Sequence, residues 1–189
     1  MKIVKKILFP LFSLFLIYRT IDLLRLLILS QKQSYDSFEI FMYSFLLTLF
    51  ITGIFAFPGF VYPTNKLLPP GYYRLKNPGR LEYFHKLLGV KYYNIFLMIY
   101  WGRKKNRRKY FDGTRKGLSN FIYQSKQSEF GHFISGVTVL IASIILLFYG
   151  YHLLVIMVSI INIIGNLYPV ILQRYHRIRI ENLISNKPQ

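Results

Sequence analysis

Four apolar segments of membrane-spanning length constrain the fold of this chain more strongly than any other feature. They cover residues 7–29, 38–62, 132–149 and 153–172. A helix needs about 20 predominantly apolar residues to cross a bilayer, and each segment is close to that length. The sequence therefore predicts an all-α fold, an integral membrane helical bundle of about four transmembrane helices, in a single membrane domain over residues 1–189.

The composition agrees with a small multi-span membrane protein. The chain of 189 residues is 53% hydrophobic and still carries a net charge of +18, a combination that soluble domains of this size rarely show. It contains no cysteine, which excludes a disulfide framework, a thiolate nucleophile and a zinc-thiolate site. Because the basic residues lie between apolar segments, membrane lipids with anionic headgroups are the expected partner, and nucleic acid is not.

The basic residues also predict an orientation. They are concentrated in the loop 102–128 and in the C-terminal tail, and basic loops stay on the cytoplasmic side. The rule places the N-terminus, the region 63–128 and the C-terminus in the cytoplasm, and four crossings satisfy it whereas five do not. We therefore expect a multi-pass protein of the bacterial cell (inner) membrane, with a basic cytoplasmic loop at 102–128.

The region between the second and third apolar segments is only intermittently apolar. It follows Pro69-Pro70-Gly71 and covers about residues 72–101. This pattern favours an interfacial or re-entrant amphipathic element. A fifth crossing by residues 87–101 is the alternative.

A carboxylate and an imidazole stand three residues apart at the start of the third apolar segment. Glu129 and His132 project from the same face of a helix at this spacing. Such a carboxylate fixes the tautomer of the imidazole and raises its basicity, which prepares a general base. The alternative is an ordinary helix start, since Ser125, Ser128 and Glu129 favour a helix N-terminus.

A second pair, Glu82 and His85, repeats this spacing. Two Glu-x-x-His pairs on facing helices, with two further glutamates, hold the metals of carboxylate di-iron bundles. The candidates for the further carboxylates, Asp112 and Glu181, lie in strongly basic segments. A metal site, and with it a metal-dependent membrane oxidoreductase, is therefore kept as an alternative. Its ligands would be Glu82, His85, Glu129 and His132.

Polar residues also follow one face of the fourth apolar segment. Asn166, Gln173 and Arg177 recur at i, i+7 and i+11, which aligns them in a stripe, and Pro169 is expected to kink the helix beside them. Amides bind polar substrate heads, and arginines suit phosphates or carboxylates through bidentate contacts. The arginines here are Arg174, Arg177 and Arg179. A stop signal of snorkelling arginines is the alternative, but it leaves the two amides unexplained.

These strings resemble the glycosyl-4,4'-diaponeurosporenoate acyltransferase family, small bacterial membrane proteins linked to staphyloxanthin-type carotenoids. The family signature looks like Glu-x-x-His and an aromatic residue, then Asn…Pro…Gln-Arg-Tyr-Asn-Arg-x-Arg. Here it reads Ser128-Glu-Phe-Gly-His-Phe133, Asn166 and Gln173-Arg-Tyr-His-Arg-Ile-Arg179, with His176 in place of the usual Asn. The resemblance covers about residues 100–182, including Phe111-Asp-Gly113. The residues that carry over are Glu129, His132, Asn166, Gln173, Arg174, Tyr175, Arg177 and Arg179.

The resemblance implies an acyltransferase that works at the cytoplasmic membrane face. A fatty acyl group would move from a thioester donor, acyl-CoA or acyl carrier protein, to a hydroxyl of a glycosylated terpenoid or another lipid-linked acceptor. His132, oriented by Glu129, would be the base, and no cofactor besides the acyl thioester is expected. The three arginines and the basic residues at 103–109 would hold donor phosphates, while Asn166 and Gln173 would orient the acceptor head or the oxyanion.

The different-class alternative is a non-catalytic accessory subunit. It would use the same polar residues to bind an anionic lipid headgroup. Substitution of Arg177 would then weaken lipid binding, while substitution of His132 would have little effect.

Overall fold

A computed structural model describes residues 2–30, 35–74, 77–101 and 114–185 of this chain, and this part contains helices and no strand. Two short 3₁₀-helices, Thr64–Leu67 and Pro70–Tyr73, follow the second α-helix, and a π-helical turn occupies Ile163–Leu167. The α-helices are α1 (Lys2–Leu29), α2 (Ser37–Gly59), α3 (Pro78–Leu87), α4 (Val90–Trp101), α5 (Arg115–Phe148), α6 (His152–Asn162) and α7 (Tyr168–Ser185). The all-α prediction is confirmed.

In the described part of the chain, four stretches of helix are long and apolar enough to cross a membrane. They are Ile3–Leu29, Ser37–Gly59, Gly117–Phe148 and His152–Glu181. Their number matches the prediction, and the protein has the helices of a multi-pass membrane protein. Large apolar side chains such as Leu14 remain exposed on these helices, as expected for surfaces that contact lipid tails instead of a protein core.

The third and fourth helical stretches extend further than the hydropathy of the sequence predicts. Residues 115–128, assigned to the basic loop, form the start of α5, and α7 continues beyond residue 172 to Ser185. The loop assignment was wrong for these residues because hydropathy detects lipid-facing surface. Polar side chains such as Ser125 and Gln127 are buried against protein partners instead. Residues 102–113 of the predicted loop, with Asp112 and the basic residues at 103–109, lie outside the described residues.

The chain divides into two compact units. The first unit comprises Met1–Thr64 and Gly131–Leu167. Its core is formed by apolar side chains of α1, α2, α5 and α6. The buried members are Leu23, Leu27, Leu47, Ile51, Val139, Ala142, Leu146, Leu154 and Val158. Gly150, at a φ of +83°, makes the tight connection between α5 and α6, a backbone conformation that glycine adopts without a steric cost.

The second unit comprises Asn65–Phe130 and Tyr168–Gln189. In it α3 and α4 both pack against α7, with Val90, Ile171 and Leu172 buried in a small core. The predicted amphipathic element is thus two α-helices, preceded by a short 3₁₀-helix. Helix α4 has 12 residues. At about 1.5 Å per residue it is roughly 18 Å long, shorter than the ~30 Å hydrocarbon core, and the fifth-crossing alternative gains no support.

Candidate functional site

A cluster of four polar side chains lies among the apolar helices of the first unit. This histidine cluster consists of Thr52 from α2, His132 from α5, Asn162 at the end of α6 and Asn166 in the π-helical turn. Asn162 and Asn166 are buried, with 7% and 1% exposure. Their amides bond directly, Nδ2 of Asn166 to Oδ1 of Asn162 at 2.9 Å. A π-helical turn inside an α-helix is frequent at functional sites, and here it carries Asn166.

The orientation of both amides in this cluster follows from one backbone carbonyl. The carbonyl of Gly136 can only accept, so Asn162, at 3.2 Å, turns its Nδ2 toward it. Oδ1 of Asn162 is then left to accept from Nδ2 of Asn166. Asn166 must in consequence direct its Oδ1 to His132, whose Nδ1 lies 3.2 Å away. Each step leaves a single assignment of amide oxygen and nitrogen.

This chain of hydrogen bonds fixes the tautomer of His132. Because Oδ1 of Asn166 is an acceptor, Nδ1 of the neutral imidazole carries the proton. Nε2 is then the basic nitrogen of the ring. Nothing in this assignment involves a carboxylate.

Thr52 completes the support of Asn166, and no pattern in the sequence indicated this role. Its hydroxyl lies 3.3 Å from Oδ1 and 3.2 Å from Nδ2 of Asn166. Hydroxyls in apolar helices commonly bond to the carbonyl four residues earlier, as Thr48 does with Ser44 at 2.9 Å. The two threonines look alike in the sequence, but their hydrogen-bond partners differ.

A second cluster, in the second unit, is built around a buried carboxylate. Glu129 is 0% exposed, and both of its oxygens accept from guanidinium groups. Nε of Arg174 donates to Oε1 at 2.7 Å, and Nη2 of Arg177 donates to Oε2. Arg177 is also 0% exposed. We call this group, with Ser125, Ser128 and Gln173, the arginine cluster.

Serine hydroxyls connect the arginine cluster to the backbone of α7. Oγ of Ser125 accepts from Nη1 of Arg177 at 3.1 Å and donates to the carbonyl of Gln173 at 3.0 Å. The side chain of Gln173 donates to Ser128 at 3.4 Å. Polar residues of α5 and α7 thereby satisfy one another, which explains why this polar part of α5 is helical.

Two tyrosines of the second 3₁₀-helix cover the guanidinium groups. Cζ of Arg174 lies 4.9 Å from the ring centroid of Tyr72, and Cζ of Arg177 lies 5.8 Å from that of Tyr73. Burial, and next the charge of Glu129, raise the pKa of each phenol to about 12. Both tyrosines therefore stay neutral at physiological pH. The sequence placed them in the amphipathic element and gave no reason to assign them to a site.

The arginine cluster has a surplus of positive charge. One carboxylate faces two guanidinium groups. Nε of Arg177 is buried and has no hydrogen-bond partner among the described residues. A buried pair of this kind is costly to break from one side, since the remaining charge stays desolvated.

The hydrogen bonds of Glu129 and His132 lead to different partners. Glu129 binds the two arginines and His132 binds Asn166, although the two residues are three apart on α5. Within the described part of the chain, no hydrogen bond joins them. Orientation of the imidazole, which the sequence assigned to Glu129, belongs to Asn166.

The remaining predicted residues lie apart from these contacts. The ring of Tyr175 stacks on His85 at 4.0 Å between centroids, and Arg179 is exposed. Glu82 pairs with Lys86 at 3.1 Å on the surface. Across the described ranges, no three histidine, aspartate or glutamate side chains come together as a group of metal ligands. The metal alternative therefore gains no support from the arrangement of its four residues.

Comparison with known proteins identifies a family. The sequence profile of the family described as glycosyl-4,4'-diaponeurosporenoate acyltransferase matches residues 69–186, more than half of the chain. The matched part contains all eight residues that carried the resemblance. No curated protein and no solved structure shows a significant similarity to the chain.

Proposed function

We infer the function from one premise: this chain belongs to the glycosyl-4,4'-diaponeurosporenoate acyltransferase family, whose name describes an acyltransferase of carotenoid biosynthesis. We propose that it moves a fatty acyl group from a thioester donor to a hydroxyl of a glycosylated terpenoid or another lipid-linked acceptor. The observation that carries the proposal is the hydrogen-bond chain that leaves Nε2 of His132 unprotonated.

In the proposed reaction, Nε2 of His132 removes the proton of the acceptor hydroxyl as that oxygen attacks the thioester carbonyl carbon. The new C–O bond gives a tetrahedral oxyanion. The C–S bond then breaks, and the imidazolium returns its proton to the departing thiolate. The products are an ester and a free thiol, so the atoms and the proton balance without a further reactant.

Asn166 has the role of orienting and stabilising the base. When His132 becomes an imidazolium, the hydrogen bond from Nδ1–H to Oδ1 of Asn166 strengthens, because it becomes charge-assisted. Asn162 and Thr52 hold the amide in position from two sides. Asn166 was expected to orient the acceptor or the oxyanion, and we propose this different role because its oxygen is occupied by the imidazole.

The arginine cluster has the role of attracting an anionic donor. Its surplus charge and the partial exposure of Arg174, 30% for the side chain, suit a phosphate-bearing thioester such as acyl-CoA. Glu129 keeps Arg174 in place. Gln173 and Arg177, which the sequence assigned to substrate, bond to serines and to Glu129, and we propose that they support the cluster from inside.

We also propose a location for the reaction. The basic residues of the connecting segments support a position of both termini and the arginine cluster on the cytoplasmic side of the bacterial cell membrane. Acyl thioesters are charged and are made in the cytoplasm, so a donor would arrive from that side.

The experiment is lipid mass spectrometry of cells that supply the acceptor and express the chain. His132→Ala should reduce the acylated product by about 10²–10⁴-fold, the usual contribution of a general base. His152→Ala is the matched control, since His152 is an exposed histidine at the start of α6. Unchanged product in His132→Ala, with weaker lipid retention in a variant of the partly exposed Arg174, would instead identify a non-catalytic lipid-binding subunit.

A further inference from the structure

An open cavity of about 480 Å³ lies in the second unit, beside the exposed edge of Arg174. This volume is in the range of small-molecule sites, about 300–1,000 Å³. Three guanidinium groups line it: Arg74 after the second 3₁₀-helix, Arg80 on α3 and Arg174 on α7. Among the residues that the structure describes, no carboxylate lines the cavity.

The three arginines leave this cavity with uncompensated positive charge. Within the described part of the chain, Arg74 and Arg80 form no ion pair, and both are exposed. Arg174 bonds to Glu129, but Glu129 also bonds to Arg177 and neutralises only one charge of the two. Like charges that share a cavity repel one another, and an anion between them removes that repulsion.

Another part of the cavity lining is apolar. Leu81 and Phe84 from α3 and Ile178 from α7 form it. Cζ of Arg80 lies 5.8 Å from the ring centroid of Phe84, so charged and apolar lining meet along α3. A ligand that fits both parts has an anionic group and an apolar or aromatic portion in the same molecule.

We propose that this cavity binds a phosphate-bearing amphiphile, with the phosphate between Arg74, Arg80 and Arg174 and the apolar portion against Phe84 and Ile178. Guanidinium groups match phosphate oxygens with paired N–H donors, which a lysine could not do. The identification of this amphiphile as the acyl donor rests on the proposed function, whereas the phosphate binding itself does not.

Of the three arginines that the sequence assigned to donor phosphates, Arg174 lines the cavity. Arg177 is buried and bonds to Ser125 and Glu129, so it cannot reach a ligand in the cavity. Arg74 and Arg80 belong to the amphipathic region, and the sequence assigned neither of them a role. In this proposal, the region 72–101 supplies two of the three arginines that bind the phosphate.

Coenzyme A, which carries the phosphates of an acyl thioester donor, is the first probe. The full chain is reconstituted in nanodiscs of phosphatidylcholine, and the dissociation constant of coenzyme A is measured by calorimetry. Arg74→Gln and Arg80→Gln should each raise it about tenfold, and the double variant about 100-fold. Arg80→Lys, which keeps the charge and loses the paired donors, should fall between wild type and Arg80→Gln.

Arg25→Gln is the matched control, because Arg25 is an exposed arginine of α1 in the other unit. It removes the same charge and should leave the dissociation constant unchanged. Equal weakening by Arg25→Gln would show that net charge alone attracts the probe, and this result overturns the proposal. Thermal unfolding of each variant confirms that the exposed substitutions leave the fold intact.

A second arm distinguishes the source of the phosphate. Nanodiscs that contain phosphatidylglycerol are prepared with wild type and the double variant, and the lipid retained by the protein is quantified by mass spectrometry. If the double variant retains less lipid and the first arm shows no coenzyme A binding, the ligand is a lipid headgroup and the assignment to the acyl donor is wrong. If the arginine substitutions change neither coenzyme A binding nor lipid retention, the proposal that the cavity binds a phosphate is wrong.

The two proposals can fail separately. His132→Ala should bind coenzyme A as wild type does while forming no product. If coenzyme A binding depends on the arginines but no acyl transfer occurs, the cavity proposal is supported and the proposed reaction is contradicted. If acyl transfer is lost in His132→Ala but unchanged by substitution of Arg74 and Arg80, the reaction is supported and the cavity proposal is contradicted.

Discussion

The histidine cluster and the arginine cluster differ in how their buried polar groups are satisfied. Both place hydrogen-bonding groups in helices that are otherwise apolar. The histidine cluster is neutral, and every amide in it is oriented by a chain that starts at the Gly136 carbonyl. The arginine cluster is charged, with Glu129 between two guanidinium groups and one buried nitrogen without a partner among the described residues.

Because one cluster is neutral and the other is charged, substitutions in them should have different effects. Replacing one member of a neutral network leaves a buried polar group unsatisfied and costs about 1–3 kcal/mol, which is less than the cost of leaving a buried charge unpaired. A neutral network can therefore be devoted to setting a tautomer. A buried ion cluster has a large desolvation cost that its own pairing offsets, so each member also maintains the fold. Substitutions should accordingly change rate in the first cluster and stability in the second.

The largest effect is expected from Glu129→Gln. The substitution removes the carboxylate that pairs with Arg174 and Arg177, and breaking a buried pair from one side costs about 3–5 kcal/mol. We expect a large decrease in thermal stability in detergent and a loss of monodisperse protein. The control is Asp22→Asn, which breaks the exposed Arg19–Asp22 pair and should cost about 0–1 kcal/mol. Equal effects of the two substitutions would contradict the contrast between the clusters.

Asn166→Ala is expected to have the next largest effect, on rate. The imidazole loses the acceptor that selects its tautomer, and misorientation of a catalytic group costs about 10²-fold. Asn166→Asp keeps an acceptor at Nδ1 and should retain more activity than Asn166→Ala. The measurement is initial rate together with the melting temperature. A melting temperature that falls as far as in Glu129→Gln would mean that Asn166 is mainly structural.

Two threonines on α2 provide a finer comparison. Thr52→Val removes the hydroxyl that supports Asn166 and should lower the rate about fivefold, since a neutral hydrogen bond contributes about 1 kcal/mol. Thr48→Val removes a hydroxyl that bonds only within its own helix, to Ser44, and should leave the rate unchanged. Equal rates for the two variants would show that the Thr52 hydroxyl does not support Asn166.

Much of the architecture could be predicted from hydropathy, and the pairing of the polar residues could not. Length and apolar content identify four spans because they report contact with lipid. They fail for residues 115–128, where buried serines and Gln127 find partners inside the protein. Hydropathy alone does not distinguish such a polar helix from a loop, because it does not show the partners that bury the polar side chains.

The residue types of the site were predictable, and their grouping was not. Spacing on one helix suggested that Glu129 and His132 form a pair, whereas the partners of both residues are far away in the sequence. Asn166 and Arg177, on the same predicted stripe, bond to different partners after a π-helical turn that no sequence pattern announces. Thr52 and Tyr72 gave no signal, since hydroxyls and aromatics are common at such positions.

The smallest expected effect concerns a histidine that belongs to neither cluster. His85 is buried against the ring of Tyr175, and burial lowers its pKa below the ordinary 6.5, with Lys86 acting in the same direction and Glu82 in the opposite one. A lowered pKa in the folded state means that stability is fully present above about pH 6.5 and is lost as the pH falls through the folded value.

His85→Phe keeps the stacked ring and removes the titration, so its melting temperature should vary less than that of wild type below pH 6.5. His152→Gln, at an exposed histidine of α6, should follow the wild-type curve. Parallel curves for wild type and His85→Phe would show that acid acts elsewhere.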